Sequence, residues 1–234
     1  QAFWLAAISE GTSQFTQVPP AAASTLDVLQ GLGVPITRQN STTAITGVGL
    51  YGLHASSDII ELPIPEPALL PALAILSQQK FVSRVRITQA SRDTAVQLLA
   101  LLARTGASSA QEAELLLRLD GTESAVGVTH DESDLPGAVK LALLTAGLYG
   151  DTPTVVRESL SSKDRVDALL KARGVGVDGS RQADPTVRTI NLKPGTPKAL
   201  DVDIAGDLDR ALPFVVAALG VAVVDVVQLL QQPL

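Results

Sequence analysis

Neither cysteine nor methionine occurs among the 234 residues, and aromatic side chains make up only 3% of them. The first absence excludes disulfides, thiolate metal sites and a cysteine nucleophile. The scarcity of rings means that Leu, Val, Ile and Ala must build the core. Histidine is limited to His54 and His130, neither in a cluster of ligand-type side chains, so no metal and no cofactor is expected. His130-Asp131-Glu132 reads as a solvated loop. Positive charge is also short: 18 Lys and Arg against 24 Asp and Glu leave a net charge of −6. Nucleic-acid binding normally needs a basic footprint, so that class is disfavoured, although a local basic pocket is compatible with the average. No uninterrupted apolar run reaches membrane-spanning length. Leu212–Val227 comes nearest but is broken by Pro213, Gly220 and Asp225. The first residues carry no basic region and no cleavage site, which predicts a cytoplasmic protein without a membrane segment. A chain without methionine that begins at Gln1 is expected to be an internal fragment, or a sequence from which modified methionines are left out.

What is present is a repeat. Hydrophobic residues make up 46% of the chain, and an apolar helix pattern that runs into a strand recurs at Ala2–Val18, Ala68–Ile87, Val139–Val156 and Ala211–Val227. Ala6, Ala74, Ala146 and Ala217 occupy matching places, 68, 72 and 71 residues apart. A second helix in each unit stops at Gly33, Gly106 or Gly174. A period of this length is the mark of a repeat architecture.

Within the first unit the pattern predicts a helix over Ala2–Glu10, a strand over Thr12–Val18, a helix over Ser24–Leu32 and a hairpin of Val34–Arg38 with Thr43–Val48. The second unit opens with a strand over Asp58–Leu62. A helix over Ala68–Gln78, a strand over Phe81–Thr88 and a helix over Arg92–Arg104 follow. Its hairpin is placed at Leu115–Leu119 and Ser124–Val128, around Asp120-Gly121. The third unit has helices over Leu135–Leu148 and Lys163–Arg173, a strand over Thr154–Glu158 and a hairpin of Val175–Val177 with Val187–Leu192. A strand over Leu200–Ile204 and a helix over Asp207–Leu219 open a fourth unit. Two helices and four short strands per unit give an α/β (α+β) class with mixed sheets. The first helix of each unit is apolar on every side and must be buried on every side. The expected organisation is a three-repeat domain over residues 1–199, with repeats at about 1–57, 58–130 and 131–199. Residues 200–234 begin a fourth unit that crosses toward, or docks in place of, a second domain.

This order of elements resembles the enolpyruvyl transferase family, whose domains hold three βαβαββ units. Gln1–Val18 is similar to the family's first helix and strand. Val139–Gly150 followed by Thr154–Leu170 is similar to its helix, strand and Ser-Arg-Asp-His signature. Ala205-Gly206-Asp207 before an apolar helix resembles its Pro-Gly-Asp segment. The likeness covers nearly the whole chain and corresponds to roughly the N-terminal half of a member. It implies anionic ligands of the shikimate 3-phosphate or phosphoenolpyruvate type, held in a cleft between two domains, where helix N-termini and Arg or Lys suit them.

Several positions depart from the family's pattern. Gln1 stands where an Arg usually opens the first helix. Pro63–Ala68 replaces a glycine-rich loop, so that prolines remove backbone donors and Glu66 adds negative charge. Pro136-Gly137-Ala138 replaces Ser-x-Gln. By the resemblance, Ser162, Lys163, Arg92 and Lys140 are the candidate substrate-binding residues, with no catalytic residue assigned. Each also has a plain structural reading: Ser162 as a helix N-cap, Arg92 as a first-turn residue facing water, Lys140 as the edge of a buried helix. Gly47-Val48-Gly49-Leu50-Tyr51-Gly52 matches GxGxxG, but no helix follows it and it reads as a turn. The expected function is a catalytically incomplete transferase-like domain of the shikimate pathway. The alternatives are half of a split transferase, completed by a second domain or chain, and a non-catalytic partner-binding module.

Overall fold

The computed structural model describes residues 1–64, 66–131, 135–159, 166–181 and 187–204. The chain divides into two compact units, Gln1–Val202 and Asp203–Leu234, and of the second only Asp203 and Ile204 are described. The elements, in chain order, are α1 (Ala2–Ala7), β1 (Thr12–Thr16), α2 (Ala23–Gly31), β2 (Ile36–Gln39) and β3 (Thr42–Thr46). Next come β4 (Ile60–Glu61), α3 (Glu66–Ser77), β5 (Ser83–Arg86), α4 (Arg92–Leu102), β6 (Ser108–Ala113) and β7 (Leu116–Gly121). The last are β8 (Thr129–His130), α5 (Gly137–Gly147), β9 (Thr154–Ser159), α6 (Val166–Ala172), β10 (Val177–Arg181), β11 (Val187–Leu192) and β12 (Val202–Asp203). The fourth-unit helix expected at Asp207–Leu219 lies outside the described residues.

Three four-stranded sheets repeat one plan. Their orders are β12-β1-β3-β2, β4-β5-β7-β6 and β8-β9-β11-β10. In the second and third sheets the first strand pairs parallel with the second, and the other pairings are antiparallel. Both therefore read βαβαββ and are mixed, as the periodicity predicts. Among the described residues no strand precedes α1. The segment from Pro197 takes that place: Glu10 and Lys198 form a parallel bridge, the Ala199 amide donates to Glu10 O at 2.8 Å, and the Leu200 amide donates to Ser13 Oγ at 3.0 Å.

The core holds α1, α3 and α5. Phe3 to Ile8 in and just after α1, Leu69 to Leu76 on α3 and Val139 to Ala146 on α5 are all buried. Each fully buried Leu or Ile is worth roughly 1.5–3 kcal/mol. Alanines at 6, 72, 74, 142 and 146 have no bulk beyond Cβ, so the three helices can lie close together.

The helices' C-terminal ends meet at one pole. There the Gln79 amide donates to Leu50 O at 3.0 Å and to the Tyr149 hydroxyl at 3.1 Å, and Tyr51 meets Tyr149 edge to face at 5.3 Å. The N-termini of α3 and α5 consequently face the opposite pole. The GxGxxG match falls at the first pole. Its amides at Val48 and Gly49 donate to Ala7 O and Ser9 O, the free carbonyls at the end of α1. They are consumed in capping and are not available to cradle a phosphate.

A buried arginine closes the ring of units. Arg173, just after α6, donates to Ser9 Oγ at 3.3 Å, Ala2 O at 3.3 Å and Lys198 O at 3.4 Å, tying the third unit to α1. Burial pulls its pKa down from the usual arginine range to about 10. Neutral acceptors hold its charge.

Two expectations are corrected. The second hairpin pairs β6 with β7 and not Leu115–Leu119 with Ser124–Val128. Every residue of β6 is exposed, so the strand carries no alternating apolar signal. Asp120-Gly121 ends β7 instead of turning it. Gly121 has φ +75°, and a Cβ there would strike the Gln79 carbonyl at the end of α3. His130, expected in a solvated loop, is buried, because β8 pairs with Val155 and Val156 and turns it inward. A Gly121→Ala substitution combines left-handed backbone with a backbone collision. It is expected to cost ~2–4 kcal/mol, read as a lowered urea midpoint with an unchanged m-value.

Candidate functional site

The pole at the N-termini of α3 and α5 is where an anion would be favoured. At α5 the chain enters through Pro136, whose carbonyl accepts from the Val139 and Lys140 amides at 2.9 and 3.0 Å, and no side chain caps the helix. Pro136, Gly137 and Ala138 bring no side-chain donor. The first charged group in from this end is Lys140, in the second turn, only 2% exposed.

Lys140 faces β9, where Thr154, Val156 and Glu158 point inward in alternation. Its ammonium lies 3.8 Å from Glu158 Oε2, an ion-pair distance too long for a hydrogen bond. Among the described residues Glu158 Oε2 has no hydrogen-bond partner, while Oε1 accepts from Arg188 Nη1 at 3.1 Å. Arg188, on the neighbouring strand β11, reaches further. Its other terminal nitrogen donates to Asp167 Oδ2 in the first turn of α6, and Asp167 also accepts from Lys171 at 3.2 Å. The result is a line of charges, Lys140–Glu158–Arg188–Asp167–Lys171, crossing from α5 through the third sheet to α6. Three cations face two carboxylates. Burial works against charge on Asp167, but the Arg188 hydrogen bond, helped by Lys171, outweighs it and holds the carboxyl below its ordinary range. The same bond, against burial and with help from Glu158, raises Arg188 above its ordinary range. Gly179 on β10 leaves the room Arg188 needs, since a Cβ there would collide with the guanidinium.

The structure treats the four sequence-derived candidates differently. Lys140 sits in this charged line. Arg92 opens α4, is partly exposed, and pairs with its neighbour Asp93 at 3.2 Å. Its Nε is buried without a hydrogen bond. Among the described residues, no hydrogen bond or ion pair joins Arg92 to Lys140. Ser162 and Lys163 lie outside the described residues, in the segment between Ser159 and α6. Glu158, Arg188 and Asp167 were missed by sequence reasoning. Glu158 was legible in principle, as a charge on the inward face of an alternating strand opposite a lysine on a helix apolar all round. Among the described residues no group of His, Asp and Glu side chains could hold a metal ion, and no helix is long and apolar enough to cross a membrane. A separate cavity of about 310 Å3 lies in the first unit, bordered by Gln17, Pro19, Arg38, Asn40 and Thr43, and contains none of the candidates.

With this geometry in place the likenesses to known proteins become specific. No protein-family model matches the chain. Curated 3-phosphoshikimate 1-carboxyvinyltransferases do: that of Lactiplantibacillus plantarum is 31% identical over 219 residues, 92% of this chain and 50% of its own length. That of Oceanobacillus iheyensis is 27% identical over 217 residues, 90% of this chain and 49% of its own. Among solved structures, EPSP synthase from Acinetobacter baumannii superimposes with a TM-score of 0.76 at 24% identity, over 90% of this chain and 48% of that one. The enolpyruvyl transferase NikO from Streptomyces tendae gives 0.63 at 17% identity over 91% and 50%. The fold is thus that of EPSP synthase, and the chain is an EPSP synthase-like domain that spans about half the length of the curated relatives it matches.

The depressed pKa of Asp167 stabilises the fold above the ordinary carboxylate range, and that contribution is lost as pH falls through its folded value. Asp167→Asn should therefore lower stability at neutral pH and flatten the loss of stability below about pH 4, measured by urea melts from pH 7 to 2.

Proposed function

We propose that this chain is one lobe of a carboxyvinyl transferase of the 3-phosphoshikimate type. On this reading it binds the anionic substrate at the pole where α3 and α5 begin, and does not turn it over alone. The observation that carries the reading is Lys140: a residue almost wholly buried near the start of α5, whose ammonium has one carboxylate at 3.8 Å and, among the described residues, no hydrogen bond. A buried ammonium in that state is costly unless something completes its shell. A phosphate or carboxylate arriving at a helix N-terminus would do so.

In this proposal Lys140 is the anchor, and Ser162, Lys163 and Arg92 are further contacts to shikimate 3-phosphate or phosphoenolpyruvate. Pro136, Gly137 and Ala138 offer no hydroxyl or amide, so charge must do most of the holding, and binding should be weak and salt-sensitive. Completion would come from a second domain or chain across the pole. A cytoplasmic location is part of this proposal, because charged phosphorylated substrates of this kind do not cross membranes unaided.

Calorimetric titration with shikimate 3-phosphate is the test. The expected dissociation constant is ~0.1–1 mM at low salt. Lys140→Met should weaken binding about tenfold or more while keeping the fold, because Glu158 retains Arg188 and a hydrophobe suits α5. Absence of both heat and a thermal shift at millimolar ligand would leave only a non-catalytic, partner-binding role. Carboxyvinyl product formed by this chain alone would refute its incompleteness.

A further inference from the structure

Glu158 lies between two cations and engages them unequally. Arg188 holds its Oε1 at 3.1 Å, within hydrogen-bond range, while Lys140 stays 3.8 Å from an Oε2 that has no hydrogen bond. All three side chains are withdrawn from water, Glu158 and Lys140 to 3% exposure and Arg188 to 25%. In such surroundings a carboxylate and an ammonium left to themselves would close to contact, since their attraction grows as the local dielectric falls. Something keeps them apart. Arg188 cannot swing toward α5 with Glu158, because its second terminal nitrogen is bound to Asp167 and its plane lies against Gly179, where no side chain pushes it aside. The planar fork therefore bridges Glu158 Oε1 and Asp167 Oδ2 through its two terminal nitrogens, as a guanidinium can and a lysine could not.

We infer that Arg188 is a positioning residue for the anion site: it withholds Glu158 from Lys140, so that the ammonium keeps its donors for an incoming phosphate or carboxylate. This rests on the proposed role of Lys140 as anchor. Glu158 is then an internal competitor of the ligand. Without Arg188 the carboxylate moves onto Lys140 and takes the place of the substrate anion. Without Glu158 there is nothing to withhold, and Arg188 becomes dispensable for binding.

The experiment compares the wild-type chain with Arg188→Gln, Glu158→Gln and the double variant, titrating each with shikimate 3-phosphate. Arg188→Gln should weaken binding about fivefold or more, and Glu158→Gln should tighten it by a few-fold. The double variant should bind at least as tightly as wild type. That rescue is the decisive readout, because a residue that only stabilises the fold would leave the double variant no better than Arg188→Gln. Equal affinity in wild type and Arg188→Gln, or a double variant as weak as Arg188→Gln, overturns the inference. A crystal structure of Arg188→Gln provides a readout that needs no ligand. Glu158 within hydrogen-bond distance of Lys140 supports the inference, and Glu158 still beyond 3.5 Å overturns it. Failure of the wild type to bind counts against the function proposed for the pole, whereas the crystal structure judges the role of Arg188 separately.

Discussion

Three helices that are apolar on every face impose the architecture. A helix such as α5, in which Val139, Leu141, Leu143 and Leu144 surround the axis, cannot lie on a surface. Three of them can bury one another only in part, and the outer helices and sheets must cover what remains. That requirement explains why one plan recurs three times. It also explains why the segment from Pro197 returns to the first unit: without it, β1 would carry an open edge beside α1.

Burying helices so completely makes every polar group on them consequential. At the C-terminal pole the demand is met by neutral groups: the Gln79 amide donates to Ile75 O and to the Tyr149 hydroxyl, and the glycine-bearing turn at Gly47–Gly49 pairs with the carbonyls at the end of α1. Between the third unit and the first it is met by Arg173, whose charge rests on a hydroxyl and two carbonyls. Near the start of α5 it is met incompletely. Lys140 has a carboxylate nearby but no hydrogen bond, and that carboxylate is committed elsewhere. Buried atoms without a partner occur elsewhere too, at Gln79 Oε1 and Arg173 Nε among others, but near the start of α5 the incompletely paired groups, Lys140 and Glu158 Oε2, are charged.

Much of the scaffold was legible. The 3.6-residue and two-residue periods located α1 to α5 and β9 within a few residues, and Gly33, Gly106 and Gly174 ended their helices in left-handed conformation, as a residue without Cβ can. What was missed had physical grounds. Strand β6 is exposed throughout because it is an outer edge strand, and edge strands need not alternate. Asp120-Gly121 carries the local signal of a hairpin, but the same glycine serves a close approach between β7 and the end of α3. His130 was judged by its acidic neighbours, while its environment is set by pairing with β9.

Local pattern thus determined the elements, their repeat and the necessity of a buried helical core, since those depend on side chains a few positions apart. The family resemblance, and not the pattern, singled out Lys140. Only the tertiary structure decided what that cation faces. Glu158, Arg188 and Asp167 stand 18, 48 and 27 residues along the chain from Lys140, and sheet register and helix packing bring them into one line. Electrostatic partnership falls off over a few ångströms of space and is indifferent to distance along the chain, so no periodicity in the sequence could have announced it.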